Sequence, residues 1–141
     1  MSWMSYHTMS SKHASAAESA ARKGEAANAV SLYRQAAEQE ELALADLDKT
    51  KLRTLGITAV SAVALWYKAG DYAQARKLAT RWLQEPNLPA FAQIQLQELL
   101  AEIKKLESLS QEIDELQMVA PFSPSARAHL TKTVAEWKSA A

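Results

Sequence analysis

Apolar side chains recur at the spacing of an α-helix along most of the chain, most clearly between about residues 25 and 47. This stripe follows the i, i+3, i+4, i+7 pattern, and its members are Ala29, Leu32, Tyr33, Ala36, Ala37, Glu40, Ala43, Leu44 and Leu47. Such a stripe buries one face of an amphipathic helix against a neighbour. Glu40 is its single polar member, and we expect it to be half-buried against Arg53 or Lys51.

Helix-breaking residues divide the chain into six predicted helical segments. Gly24, Gly70, Pro86 and Pro121 interrupt the helical pattern, and Asp48–Lys51 carries polar residues that can start a helix. The segments cover about residues 10–23, 25–47, 50–69, 72–84, 89–120 and 123–138. The predicted fold class is therefore all-α, with antiparallel helical hairpins packed as a short right-handed array or an α-α bundle and an extra long C-terminal helical region.

The third and fifth segments carry the strongest apolar patterns. The third is apolar on most sides from Ile57 to Trp66, about half the ~20 residues that span a bilayer, so we expect a buried central helix. The fifth carries a coiled-coil-like seam, interrupted by one serine within "ESLSQE", which can bend or divide the helix. The seam consists of Leu96, Leu99, Ile103, Leu106, Ser110 and Ile113. It also suggests a homodimer as a possible assembly.

Two stretches of the chain align on their glycines. They are "ARKGEAANAVSLYRQA", with Gly24, and "WYKAGDYAQARKLATRWL", with Gly70. Glycine allows a helix to end in a tight turn, and a small residue one turn later lets two backbones approach. The structural turn and packing positions are Gly24, Ala29, Tyr33 and Ala36 in the first stretch, and Trp66, Gly70, Asp71, Ala75 and Trp82 in the second. We expect Trp66 and Trp82 to lie in the core.

These paired stretches resemble the tetratricopeptide repeat (TPR). "GDYAQA", Gly70–Ala75, is similar to the turn and second helix of that repeat, and Gly24–Ala36 is similar at its glycine, acidic, alanine and aromatic positions. The glycines lie 46 positions apart, whereas the TPR period is about 34, so the second helix is over-long and the two units are degenerate. The alternatives are an ordinary antiparallel bundle and, for the first hairpin, a three-helix bundle of the microtubule-interacting-and-transport type.

Length and composition favour one helical domain. The predicted organisation is a flexible N-terminal arm at 1–10, a single TPR-like domain at 11–120, and a C-terminal helix at 121–141 that either packs back or is mobile. The net charge of zero argues against nucleic-acid binding driven by bulk charge. No membrane segment or secretory signal is visible, so the predicted location is cytoplasmic, with no nucleic-acid or membrane partner.

The sequence carries no recognisable catalytic motif. Cysteine is absent, and the histidines, His7, His13 and His129, lie near the ends of the chain, where an exposed role outweighs a metal site. The acidic clusters Glu38–Glu41 and Glu112–Glu115 are typical of solvated helix faces, with Glu40 as the exception. We therefore predict no enzyme activity, no cofactor and no metal.

The TPR resemblance implies that the first helix of each unit lines a binding groove for a peptide or partner helix. The positions it selects are Glu18, Ala21 and Arg22 in the first unit, and Val60, Ala64, Tyr67 and Lys68 in the second. Arg22 and Lys68 each precede their glycine by two residues, and two such cations can hold a carboxylate. The alternative is that they only offset the negative ends of their own helices. Tyr67 and Tyr72 are expected to be half-exposed, and Tyr67 to anchor the partner.

The predicted function is a non-enzymatic adaptor or scaffold that binds a protein or peptide partner. The alternative is a self-associating structural bundle, a homodimer through the seam at 96–113. A second cationic group, Arg76, Lys77 and Arg81, is typical of an ordinary solvated helix face.

Overall fold

The computed structural model describes residues 2–118, which fold into five α-helices without a β-strand. The helices are α1 (Trp3–Arg22), α2 (Ala26–Asp46), α3 (Leu52–Lys68), α4 (Tyr72–Leu83) and α5 (Ala90–Met118). The all-α prediction is confirmed for this part of the chain. The predicted sixth helix and the C-terminal region at 121–141 lie outside the described residues.

The helices pack in sequence order. α1 packs on α2, α2 on α3 and α3 on α4, and α5 covers both α3 and α4. The first pair is longer than the second, because α1 and α2 have 20 and 21 residues whereas α3 and α4 have 17 and 12. The first turns of α1 lie alongside α3, with which Trp3 forms a hydrogen bond through Thr58.

The N-terminal residues differ from the flexible arm that we predicted at 1–10. α1 begins at Trp3, and Ser2 caps it by accepting a hydrogen bond from the backbone N–H of Ser5 over 3.3 Å. Trp3 is partly buried against the core, and Ser10 is 2% exposed. The extra turns are helical because they continue the buried face of α1 towards the N-terminus, alongside the C-terminal half of α2.

Small side chains set the distance between the helices. Nine alanines of the described residues are fully buried: Ala17, Ala36, Ala37, Ala43, Ala59, Ala62, Ala75, Ala79 and Ala92. The distance between two packed helices depends on the side chains at the contact, so alanine allows the backbones to approach closely. Polar groups from neighbouring helices thereby come within hydrogen-bonding distance.

The two hairpin turns have the same backbone geometry. Gly24 and Gly70 adopt φ values of 76° and 77°, in the left-handed region that favours glycine. In each turn the N–H of the next residue bonds back to the last turn of the preceding helix, from Glu25 to the Ala20 carbonyl over 2.9 Å and from Asp71 to the Trp66 carbonyl over 3.1 Å. These bonds are typical of a glycine helix stop and send the next helix back antiparallel.

Helix α5 runs without a break through "ESLSQE" for 29 residues. Its seam residues Leu96, Ile103 and Leu106 are at most 1% exposed, in the core that α5 forms with α3 and α4. Gly56 of α3 lies close against the start of α5, since a Cβ placed there would lie 3.0 Å from Phe91 Cζ and 3.1 Å from Ala92 Cβ.

We expect the substitution Gly56→Ala to lower the free energy of unfolding by about 1–3 kcal/mol, because the added methyl group overpacks this contact. At an unconstrained helical site the same change would stabilise the chain by about 1 kcal/mol. Urea unfolding measures the difference. The Gly56→Ala, Phe91→Ala double variant is the control: the added cost of the alanine should shrink when the ring is absent. Stabilisation by Gly56→Ala alone would contradict the close contact.

Candidate functional site

The structure brings three predicted groove residues together around Tyr33 of α2. The Lys68 Nζ lies 5.9 Å from the centre of the Tyr33 ring, within the range of a cation–π contact. Burial raises the pKa of the Tyr33 hydroxyl, the Glu18 charge raises it further, and the Arg22 charge opposes both. Tyr33 is half-buried, whereas Glu18, Arg22 and Lys68 are exposed. We call these four residues the Tyr33 surface.

The position of the Tyr33 surface follows from the two glycine turns. Arg22 and Lys68 lie in the last turns of α1 and α3, so both cations sit where the helix dipole is negative. α2 starts at the first turn and passes between α1 and α3, with which it packs. Tyr33 lies two turns into α2, with the Lys68 ammonium over its ring and with Arg22 near enough for its charge to act on the hydroxyl.

Tyr67, predicted as a half-exposed anchor, is buried instead. It is 6% exposed, and its ring centre lies 5.8 Å from that of Tyr72. Burial raises the pKa of Tyr67, and the nearby Glu102 and Tyr72 add to the rise. These neighbours place the ring towards α4 and α5, since successive residues of a helix point about 100° apart. Because Tyr67 is buried, it does not accompany Lys68 at the exposed surface. The aromatic ring beside Lys68 is that of Tyr33.

Most of the remaining predicted positions are buried or half-buried within the helical packing. Ala64 is half-buried on α3, and Ala29, Ala36 and Ala75 are buried at helix contacts. Trp66 and Trp82 are 5% and 4% exposed, within the core.

The N-cap of α4 joins α4 to α2. Asp71 accepts a hydrogen bond from the Gln74 N–H over 3.1 Å and lies 3.6 Å from Arg34 Nη1. Arg34 also lies over the Trp66 ring, at 5.8 Å. The Arg34 charge is therefore engaged by Asp71.

Glu40 is the centre of a buried polar cluster that joins α1, α2 and α3. Its side chain is 2% exposed, with Oε1 2.9 Å from His7 Nδ1 and Oε2 accepting a hydrogen bond from Ser61 Oγ over 2.7 Å. The expected partners were Arg53 or Lys51, and the structure differs because the added turns of α1 bring His7 to this place. His7 therefore contacts Glu40, and His13, which is half-buried, does not join it in a metal site.

Trp3 extends this cluster to α3. Its ring stacks on the His7 ring at 4.9 Å between centres, with the planes 7° apart. Its Nε1 donates a hydrogen bond to Thr58 Oγ1 over 3.2 Å, and Thr58 in turn donates to the Thr54 carbonyl over 2.7 Å. The first two turns of α1 are thus held on α3 by polar contacts.

Glu41 forms a second cluster on the face of α2 that lies towards α3 and α4. Its Oε2 accepts hydrogen bonds from Trp66 Nε1 over 2.7 Å and from Gln74 Nε2 over 3.3 Å. The expectation that Glu41 lies on a solvated face is wrong, because these donors from α3 and α4 half-bury it. Glu38, one turn earlier, is exposed as expected.

Within residues 2–118 no group of three or more His, Cys, Asp or Glu side chains is arranged to hold a metal ion. The same residues include no helix that is both long and apolar enough to cross a bilayer. Comparisons of the chain with protein-family models, curated proteins and solved structures found no match. The geometry therefore carries the functional argument by itself.

We expect the substitution Glu40→Ala to lower the free energy of unfolding by about 2–4 kcal/mol, because it opens a cavity and leaves the Ser61 hydroxyl without its buried acceptor. Glu40→Gln should cost less, since an amide keeps the shape and one acceptor. Chemical denaturation provides the measurement, and Glu38→Ala on the exposed face of α2 is the matched control, expected to change stability by less than about 0.5 kcal/mol. Equal losses in the Glu40→Ala and Glu38→Ala variants would contradict the buried cluster.

Proposed function

We propose that the chain is a non-enzymatic interaction module whose Tyr33 surface binds an acidic segment of a protein partner. The observation that carries this proposal is the convergence of Arg22 and Lys68 on Tyr33 from two different helix ends. Two exposed cations beside an aromatic ring suit a carboxylate side chain with an apolar stem. Glu18 offsets one of the two positive charges, which leaves an excess of positive charge for the partner.

The proposed arrangement is TPR-like. The hairpins α1–α2 and α3–α4 have turns of the same geometry, and we propose that they form a short right-handed array of two degenerate units. In a TPR-like array the first helices, α1 and α3, line the recognition face. Arg22, Lys68 and Ala64 lie on these two helices, which supports the placement of the partner across them.

The homodimer alternative has less support. Leu96, Ile103 and Leu106 form the centre of the seam, and all three are buried within one chain against α3 and α4. A second chain could reach only the half-exposed remainder, such as Ser110 and Ile113. Homodimerisation through the seam would therefore require α5 to leave its own core.

The test uses a panel of peptides of equal length with acidic, neutral or basic side chains, read by fluorescence anisotropy. We expect the wild-type chain to select acidic peptides, with an affinity that falls as salt is raised, because exposed charges are screened. Arg22→Glu with Lys68→Glu should weaken binding at least about tenfold, since a hydrogen bond to a charged group contributes about 1.5–3 kcal/mol.

The matched control changes the same number of charges elsewhere. Lys12 and Lys77 are exposed on α1 and α4, away from Tyr33, so the variant Lys12→Glu, Lys77→Glu has the same net charge as the test variant. Its binding should stay within about twofold of wild type, apart from a small long-range effect that salt removes. Equal losses in both double variants, or equal binding of acidic and neutral peptides, would overturn the proposal.

A further inference from the structure

A pocket of about 160 Å³ opens between α2 and α4. Residues of the C-terminal half of α2, the following loop and the last turns of α4 line it: Glu41, Leu44, Ala45, Lys49, Leu78, Arg81 and Trp82. We call it the α2–α4 pocket. Both helices pack on α3, and the small side chain of Ala45 leaves the space between them unfilled.

One side of the α2–α4 pocket is apolar and belongs to the core. Leu44, Leu78 and Trp82 line it and are each at most 4% exposed, so they belong to the core. An apolar cavity of about 150 Å³ is large enough for a benzene-sized ligand. The space in this pocket therefore suits a single ring or a short branched aliphatic group.

The charges of the pocket favour an anion. Lys49 and Arg81 are both exposed at the pocket, and neither forms an ion pair within residues 2–118. Glu41 is the acidic residue of the lining, and its carboxylate already accepts hydrogen bonds from Trp66 and Gln74. The pocket thus presents two unpaired cations against one carboxylate that is already engaged.

We propose that the α2–α4 pocket binds a small monocarboxylate with a ring-sized apolar body. The carboxylate would lie between Lys49 and Arg81, and the body would contact Leu44, Leu78 and Trp82. Hydrogen bonds between cationic side chains and a carboxylate are about twice as strong as neutral ones, and the apolar wall adds the burial of the ring.

This pocket is separate from the Tyr33 surface. The two share no residue, and Glu41 lies eight residues, or about 12 Å of helix, beyond Tyr33 along α2. The proposal therefore does not depend on peptide binding.

The Arg81 guanidinium also lies 5.3 Å from the Trp82 ring centre, which keeps that cation at the pocket wall.

The experiment titrates the full chain with benzoate and follows amide, indole and methyl resonances by NMR. We expect saturable shifts of the Trp82 indole N–H and of the Leu44 and Leu78 methyl groups. Benzamide has the same ring without the charge and should bind at least about tenfold more weakly. This titration uses the wild-type chain. Equal binding of benzoate and benzamide, or no saturable shift with benzoate, would overturn the proposal.

A pair of variants then tests the two cations. Lys49→Gln with Arg81→Gln should lower benzoate affinity about tenfold or more while the thermal unfolding curve stays cooperative. The matched control is Lys51→Gln with Lys77→Gln, which removes the same charge from the same loop and the same helix outside the pocket lining. Its benzoate affinity should equal that of wild type. Equal losses in both variants would mean that overall charge, and not this pocket, attracts the anion.

Discussion

The packing of the first four helices depends on two consecutive carboxylates of α2. Glu40 faces α1 and α3, where it bonds His7 and Ser61, and Glu41 faces α3 and α4, where it bonds Trp66 and Gln74. A buried carboxylate is costly unless donors surround it, so each glutamate favours the one arrangement that supplies its partners. Apolar packing alone tolerates small shifts between helices, whereas these bonds specify which turns of the four helices lie together.

The alanine contacts make this arrangement possible. Because the helices meet through small side chains, a glutamate on one helix can reach hydroxyl, indole and imidazole groups on the next. The same register sets the positions of both proposed binding sites. It brings Lys68 of α3 to the Tyr33 ring of α2, and it leaves the gap between α2 and α4 that Lys49, Arg81 and buried apolar side chains line.

Local patterns predicted the features that depend on neighbouring residues. The glycine turns at Gly24 and Gly70 and the helical stripe of α2 involve contacts within a few positions. Glu41 has two partners, Trp66 and Gln74, which lie 25 and 33 positions away along the chain, so only the fold identifies them. The burial of Tyr67 likewise depends on α4 and α5. The start of α1 did have a signal, since Trp3, His7, Ser10, Ala14 and Ala17 follow helical spacing, but two polar members obscured it.

Amide hydrogen exchange in the second turn of α1, residues 7–10, tests the central claim most directly. The amides of the first turn have no acceptor within the helix, whereas those of residues 7–10 do. If Glu40 and its partners hold this end of α1 on α2 and α3, the amides of residues 7–10 in the wild-type chain should exchange as slowly as those in the middle of α2. In the Glu40→Ala variant, protection of residues 7–10 should fall by a larger factor than in α4 and α5. Fast exchange of residues 7–10 in the wild-type chain, or an equal loss of protection in every helix of the variant, would contradict this account.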